Sequence, residues 1–129
     1  MALRLTLRSH ERVIVGGAVI RNGNSRSELL IENEVPVLRE PDILSPGAVR
    51  TPCERIYLAL QLMYVDQERS AHHQVTYHRL ASEVLQAAPS LAPALQAIQE
   101  QVGAGRIYQA LKNTHGLLQR ERELVPDVQ

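Results

Sequence analysis

Few residues in this chain have types and spacings that could do chemistry, and most of those fail on geometry. His72, His73 and His78 lie close enough in sequence to raise the idea of a metal cluster. Adjacent histidines point about 100° apart on a helix, and positions 73 and 78 miss the three- or four-residue spacing that shares a helical face. A solvated helix is the expectation, with no metal bound. Cys53 is the only cysteine, which excludes an intrachain disulfide and a multi-cysteine zinc site and fits a reducing compartment. It falls at the start of a predicted helix, where the dipole lowers a thiol pKa, but Glu54 opposes this and a packed structural thiol is expected. Gly16-Gly17 is followed by strand-like residues and matches no nucleotide-loop spacing, so it reads as a turn. Glu32 and Glu34 share a strand face, yet no nucleophile or pocket accompanies them. The chain is therefore expected to have no catalytic residue, no cofactor and no enzymatic activity.

Arginine is more informative. Residues 1 to 27 hold Arg4, Arg8, Arg12, Arg21 and Arg26 against one acid, Glu11. The whole chain of 129 residues is neutral, with 14 Lys+Arg and 14 Asp+Glu, so any attraction for a polyanion must come from a local patch. A guanidinium fork pairs bidentately with phosphate or with the O6/N7 edge of guanine, which an ammonium cannot do. A solvated strand face carrying the same arginines is the alternative.

The arginines sit on strand-like sequence. Leu3, Leu5 and Leu7 alternate with Arg4, Thr6 and Arg8, the period-two pattern of a half-buried strand. RVIV (12 to 15) and AVIR (18 to 21) flank the glycine pair, which supplies the positive φ angles of a two-residue hairpin. Asn22-Gly23-Asn24 makes a second turn before ELLIE (28 to 32) and VPVLR (35 to 39). Pro36 cannot donate to a ladder, which predicts an edge strand, and parity puts Val35, Val37 and Arg39 on one face and Pro36, Leu38 and Glu40 on the other.

A helical grammar follows. Thr51 can cap a helix, Pro52 suits its first position, and Glu54 can close a capping box. Helices are predicted over 52–65, 71–87, 91–102 and 106–124, with Ile107, Leu111, Leu118 and Leu124 as the stripe of the last and PDVQ (126 to 129) as a frayed end. The first is apolar on nearly every face, and Ile56, Leu60, Met63 and Tyr64 are read as buried or as a partner or dimer surface. The organisation expected is a β-rich, RNA-binding-like module over 1–45, a linker over 46–52 and a helical region over 53–129. The fold class is α+β, with a small five-stranded antiparallel sheet before three to four helices. With 44% hydrophobic residues but no Phe or Trp, the core must be aliphatic. No run of about 18 apolar residues could span a membrane, so a soluble, cytoplasmic protein is expected.

The phrases MALRLTLRSHERVIVGGAVIRNG, ENEVPVLREPDILSP, TPCERIYLALQLMY and GRIYQALKNTHGLLQRERELV resemble the FlbT family of flagellum-biosynthesis regulators across nearly the whole chain. The resemblance implies a post-transcriptional regulator that associates with the 5′ untranslated leader of flagellin messenger RNA and promotes its decay. In some relatives flagellin expression is instead supported, and a second small regulator, FlaF, is the implied protein partner. More distantly, LTLRSHERVIVG and EVPVLREPDI resemble the carbon-storage regulator CsrA, whose first and last strands bind GGA-containing RNA loops in an intertwined dimer. That resemblance implies an RNA surface of Leu5, Thr6 and Arg8, with Arg4 beside them, and of Val35, Val37, Leu38, Arg39 and Glu40. Arg39 stands at that family's principal contact arginine. Leu7 departs from the pattern by replacing an arginine, and Pro36 by replacing a small residue.

These readings combine into a homodimeric RNA-binding repressor with no membrane contact. Its rival is a protein-interaction module that binds a FlaF-like regulator or flagellin and affects messenger RNA indirectly. On the first reading, Arg39→Ala weakens RNA binding and leaves thermal stability nearly unchanged.

Overall fold

The computed structural model describes residues 2–124, and the PDVQ tail lies outside the described residues. The chain is α+β: strands β1 (Leu3–Leu7), β2 (Arg12–Val15), β3 (Ala18–Arg21), β4 (Ser27–Ile31) and β5 (Val37–Arg39) precede helices α1 (Pro52–Val65), α2 (Ser70–Ala87), α3 (Ala92–Gly103) and α4 (Ile107–Leu124). It divides between Ile43 and Leu44 into two compact units, one of strands and one of helices.

The five antiparallel strands form two sheets, β1–β4 and β3–β2–β5. Gly16 (φ 58°) and Gly17 (φ 91°) both adopt left-handed backbone, as a two-residue hairpin requires, and they join β2 to β3 with Val15 opposite Ala18. The turns after β1 and β3 carry the chain between sheets, so the strands do not make one continuous layer. Leu5, Leu7 and Val13 form the core of this unit, with Val15, Leu29, Ile31 and Val37 packed against them. Ile14 and Leu38 are cross-strand partners on the opposite face and are buried too. Burial on both faces explains why β2 reads as the unbroken apolar run VIV rather than as an alternation. β5 is an edge strand, consistent with Pro36.

The helical unit begins at Leu44. The buried side-chain amide of Gln61 grips that residue from both sides, accepting from its N–H (2.8 Å) and donating to its carbonyl (3.1 Å). Leu44 is thereby fixed to α1. Every N–H of the first turn of α1 is accounted for, as helix ends demand. Pro52 has none, Cys53 donates to Glu121 Oε2 (3.1 Å), Glu54 donates to Thr51 Oγ1 (3.1 Å), and Arg55 donates to the Thr51 carbonyl (3.1 Å). Glu54 reaches back to the Thr51 N–H, completing the capping box.

Helix α1 buries Cys53, Ile56, Tyr57, Ala59, Leu60, Gln61 and Met63 and packs on α2 and α4. Burial within the chain accounts for the apolar character of Ile56, Leu60 and Met63, so they offer no surface to a partner, and Tyr64 is only partly exposed. The buried stripe of α4 is Ala110, Leu111, Thr114 and Leu117. The expected stripe shared only Leu111 with it; Ile107 and Leu118 flank it, and Leu124 is 49% exposed. The small residues Ala110 and Thr114, which carry little apolar signal in sequence, let α4 approach its neighbours. Thr114 hides its hydroxyl by donating to the Ala110 carbonyl (2.6 Å).

Thr51→Ala removes the side-chain acceptor of the Glu54 N–H. A loss of about 1 kcal/mol is expected, measured by urea denaturation followed by far-UV circular dichroism.

Candidate nucleic-acid interface

The residues that the sequence placed on an RNA surface separate into three groups. Leu5 and Leu38 are core residues, 4% and 0% exposed, so neither side chain can touch a ligand. Their apolar character reflects packing. Val37 also packs against the core, and Val35 rests on Gly16, so both valines are half-buried. Glu40 accepts a hydrogen bond from the Arg12 N–H, which commits it to β2.

Arg39 and Thr6 are brought together. Arg39 lies opposite Val13, on the inner face of its sheet, and its guanidinium closes one end of the sandwich. Its Nη2 donates to the Thr6 carbonyl (2.6 Å) and meets Glu11 Oε2 at 3.5 Å. Glu11 is 6% exposed and its other oxygen accepts from the Arg8 N–H (2.8 Å). The Arg8 amide holds the Glu11 carboxyl below its ordinary pKa; burial opposes this, and the Arg39 charge reinforces it. Arg39 thus has an internal role, with its side chain 42% exposed.

The third group is open. Arg8 is 82% exposed at its side chain, and Arg4, Arg21 and Arg26 are also exposed. Arg4 faces Glu28 across the outer surface of β1–β4 at 3.7 Å. Arg8, Arg21 and Arg26 share one end of the sandwich because two turns are stitched together there. His10, in the left-handed conformation (φ 62°), donates its N–H to the Gly23 carbonyl (2.8 Å). The Asn22 side-chain amide donates to the carbonyls of Arg8 (2.7 Å) and Ser25 (3.0 Å) and, at 3.3 Å, to that of Leu7. Arg21 braces the same turn by donating to the His10 carbonyl (2.9 Å). Glu11, the only acid of residues 1 to 27, is buried; its Oε1 lies 4.0 Å from the Arg8 guanidinium and its Oε2 3.5 Å from that of Arg39. Sequence reasoning missed Asn22 and Glu11 as organisers. Glu11 was visible as the lone acid among five arginines, but nothing local marks Asn22 as more than a turn residue.

Elsewhere, His73 Nε2 lies 3.0 Å from Asp66 Oδ2, joining the end of α1 to the start of α2, and this bond holds the Asp66 carboxyl below its ordinary pKa. His72 and His78 are exposed. Among the described residues no group of three His, Cys, Asp or Glu is placed to hold a metal ion. Burial, reinforced by Glu121, pushes the Cys53 thiol up to about 12, far above the range of reactive thiols. No described helix is long and apolar enough to cross a membrane.

The sequence model of the flagellar protein FlbT matches residues 3–125. A probable flagellum biosynthesis repressor, FlbT 1 of Bradyrhizobium diazoefficiens, is 43% identical over 96% of this chain and 85% of its own length. The corresponding protein of Rhodopseudomonas palustris is 36% identical over 97% and 98%. The flagellum biosynthesis repressor protein FlbT of Caulobacter vibrioides is 32% identical over 95% and 89%. No solved structure matches the chain.

Arg39→Ala removes a charge-assisted hydrogen bond to the Thr6 carbonyl, so a cost in stability is expected where the sequence alone suggested almost none. A loss of about 1.5–3 kcal/mol is expected, read in thermal and urea unfolding. Glu11 has a folded-state pKa below its unfolded value, so its stabilisation is complete above the ordinary carboxyl value of 4.5 and is lost as pH falls through the lowered one. Glu11→Gln is therefore expected to be less stable than wild type at neutral pH, with the gap narrowing as pH is lowered past that value.

Proposed function

Because the chain belongs to the FlbT family of flagellar proteins, we propose that this regulator of flagellum synthesis acts on RNA, as a non-enzymatic repressor. It binds the 5′ untranslated leader of flagellin messenger RNA and thereby blocks translation or promotes decay of the message. The observation that carries this reading is the arginine-bearing end of the β unit. Arg8, Arg21 and Arg26 are exposed there on two mutually braced turns, while the neighbouring acid is withdrawn into the core. Exposed guanidinium groups held by turns suit irregular RNA better than a regular duplex, because loops present phosphates and unpaired base edges at varied angles. All four tyrosines lie in the helices, so the exposed ring of His10 is the aromatic group that this unit has for stacking. Recognition then falls mainly to charge and hydrogen bonding, with Arg4 and the half-exposed Arg39 at its margins.

The helical unit favours a second reading, a partner-binding module. The start of α1 and the ends of α2 and α4 enclose a largely apolar groove of about 800 Å³, with Leu80, Val84, Leu91 and Leu124 among its lining. A FlaF-like regulator or flagellin is the partner that this reading requires.

The two readings separate in a titration of purified protein against the flagellin leader at several salt concentrations. Direct binding weakens steeply with salt through counterion release. Replacing Arg8, Arg21 and Arg26 together by Ala flattens the logarithmic salt slope by about 2, at about 0.7 per lost phosphate contact on single-stranded RNA. If wild type does not bind the leader, or binds it with no salt dependence, the RNA reading fails and the partner reading stands.

A further inference from the structure

We infer that β3 is the seam of a homodimer, in which it pairs antiparallel with β3 of a second copy of this chain. All four of its residues are exposed, with Val19 at 64% and Ile20 at 38%, and no charged residue lies between Val13 and Ile20. The hydrogen-bond alternation fixes which backbone groups remain unused. Asn22 donates its N–H to the Glu11 carbonyl (2.8 Å), so along β3 the N–H and C=O groups of Ile20 and Ala18 also face β2. Those of Val19 and Arg21 face the opposite way, where the sheet order β3–β2–β5 has no further strand among the described residues.

The two edges of this sheet differ. β5 is preceded by Pro36 and ends in Arg39, whose guanidinium bridges to the Thr6 carbonyl. β3 has no proline, lysine or bulge, the devices by which edges avoid pairing, and Arg21 at its end is turned to the His10 carbonyl. Exposed Val19 and Ile20 offer nothing to phosphate, so this edge calls for an apolar extended strand.

A second copy meets that requirement by symmetry. An antiparallel two-fold places Val19 opposite either Val19 or Arg21 of the other copy, and both registers match outward donors with outward acceptors. A slip by one residue between them brings inward-facing groups to the seam and is excluded. In neither register does arginine face arginine directly, and in both Val19 and Ile20 are covered. Four paired residues per copy fall below the area of an obligate interface, so the association is reversible and follows protein concentration. The inference does not depend on RNA binding.

Sedimentation velocity over a concentration series tests it with the full chain. Wild type is expected to pass from monomer to dimer, and Val19→Lys to weaken the dimer by at least about tenfold with an unchanged circular dichroism spectrum and melting temperature. Cysteine variants report the register independently of that substitution. Facing Cα atoms in an antiparallel pair lie about 4.5–5.5 Å apart, within disulfide range. Oxidation therefore cross-links Val19→Cys if Val19 faces itself, or Ile20→Cys if Val19 faces Arg21, whereas wild type, whose Cys53 is buried, gives no cross-link. A wild type that stays monomeric at every concentration overturns the inference. So does a dimer that survives Val19→Lys while neither cysteine variant cross-links.

Discussion

One buried carboxylate holds the β unit closed. Glu11 sits in the turn between the two sheets, accepts from the backbone of Arg8, and lies against the Arg39 guanidinium, which in turn grips the Thr6 carbonyl. The cluster ties β1, the turn after it and β5. A unit whose strands are three to five residues long has little apolar area to hold two sheets together. A charge withdrawn from water is costly unless it is paired and hydrogen-bonded, and here the same pairing closes the open end of the sandwich.

That closure also decides what the surface can do. Arginine has two roles in this unit, and burial separates them. Arg39 is directed inward by its position opposite Val13, while Arg8, Arg21 and Arg26 stay in solvent on turns braced by Asn22. The nearby acid is 6% exposed and lies 4.0 Å from the Arg8 guanidinium, so it offsets Arg8 in part while Arg21 and Arg26 stay in solvent.

The elements themselves were legible in the sequence because their signals are local. Alternation along Leu3 to Leu7, the paired glycines at 16 and 17, and the Thr51–Glu54 box all act within a few residues, and they fall where the strands, the hairpin and α1 occur. What could not be read depends on partners far away in the chain. Arg39 meets a carbonyl 33 residues earlier, and Gln61 meets a backbone 17 residues earlier. Parity did place Arg39 on the face of Val37, but not what lies across from that face, so its bonds to Thr6 and Glu11 could not be read from the sequence. Likewise, the separation of five strands into two sheets depends on turns whose direction is set by His10 and Asn22, neither of which announces it.

The bond from the Cys53 N–H to Glu121 spans 68 residues. In a chain made from its amino end, the β unit has all its residues within the first 43 and can close early, as domains generally do during synthesis. The first turn of α1 must wait for the last turns of α4 to leave the ribosome. Until Glu121 has been made, the start of that helix lacks this acceptor, so a chain cut short before Glu121 leaves the Cys53 N–H without the partner it has in the folded bundle.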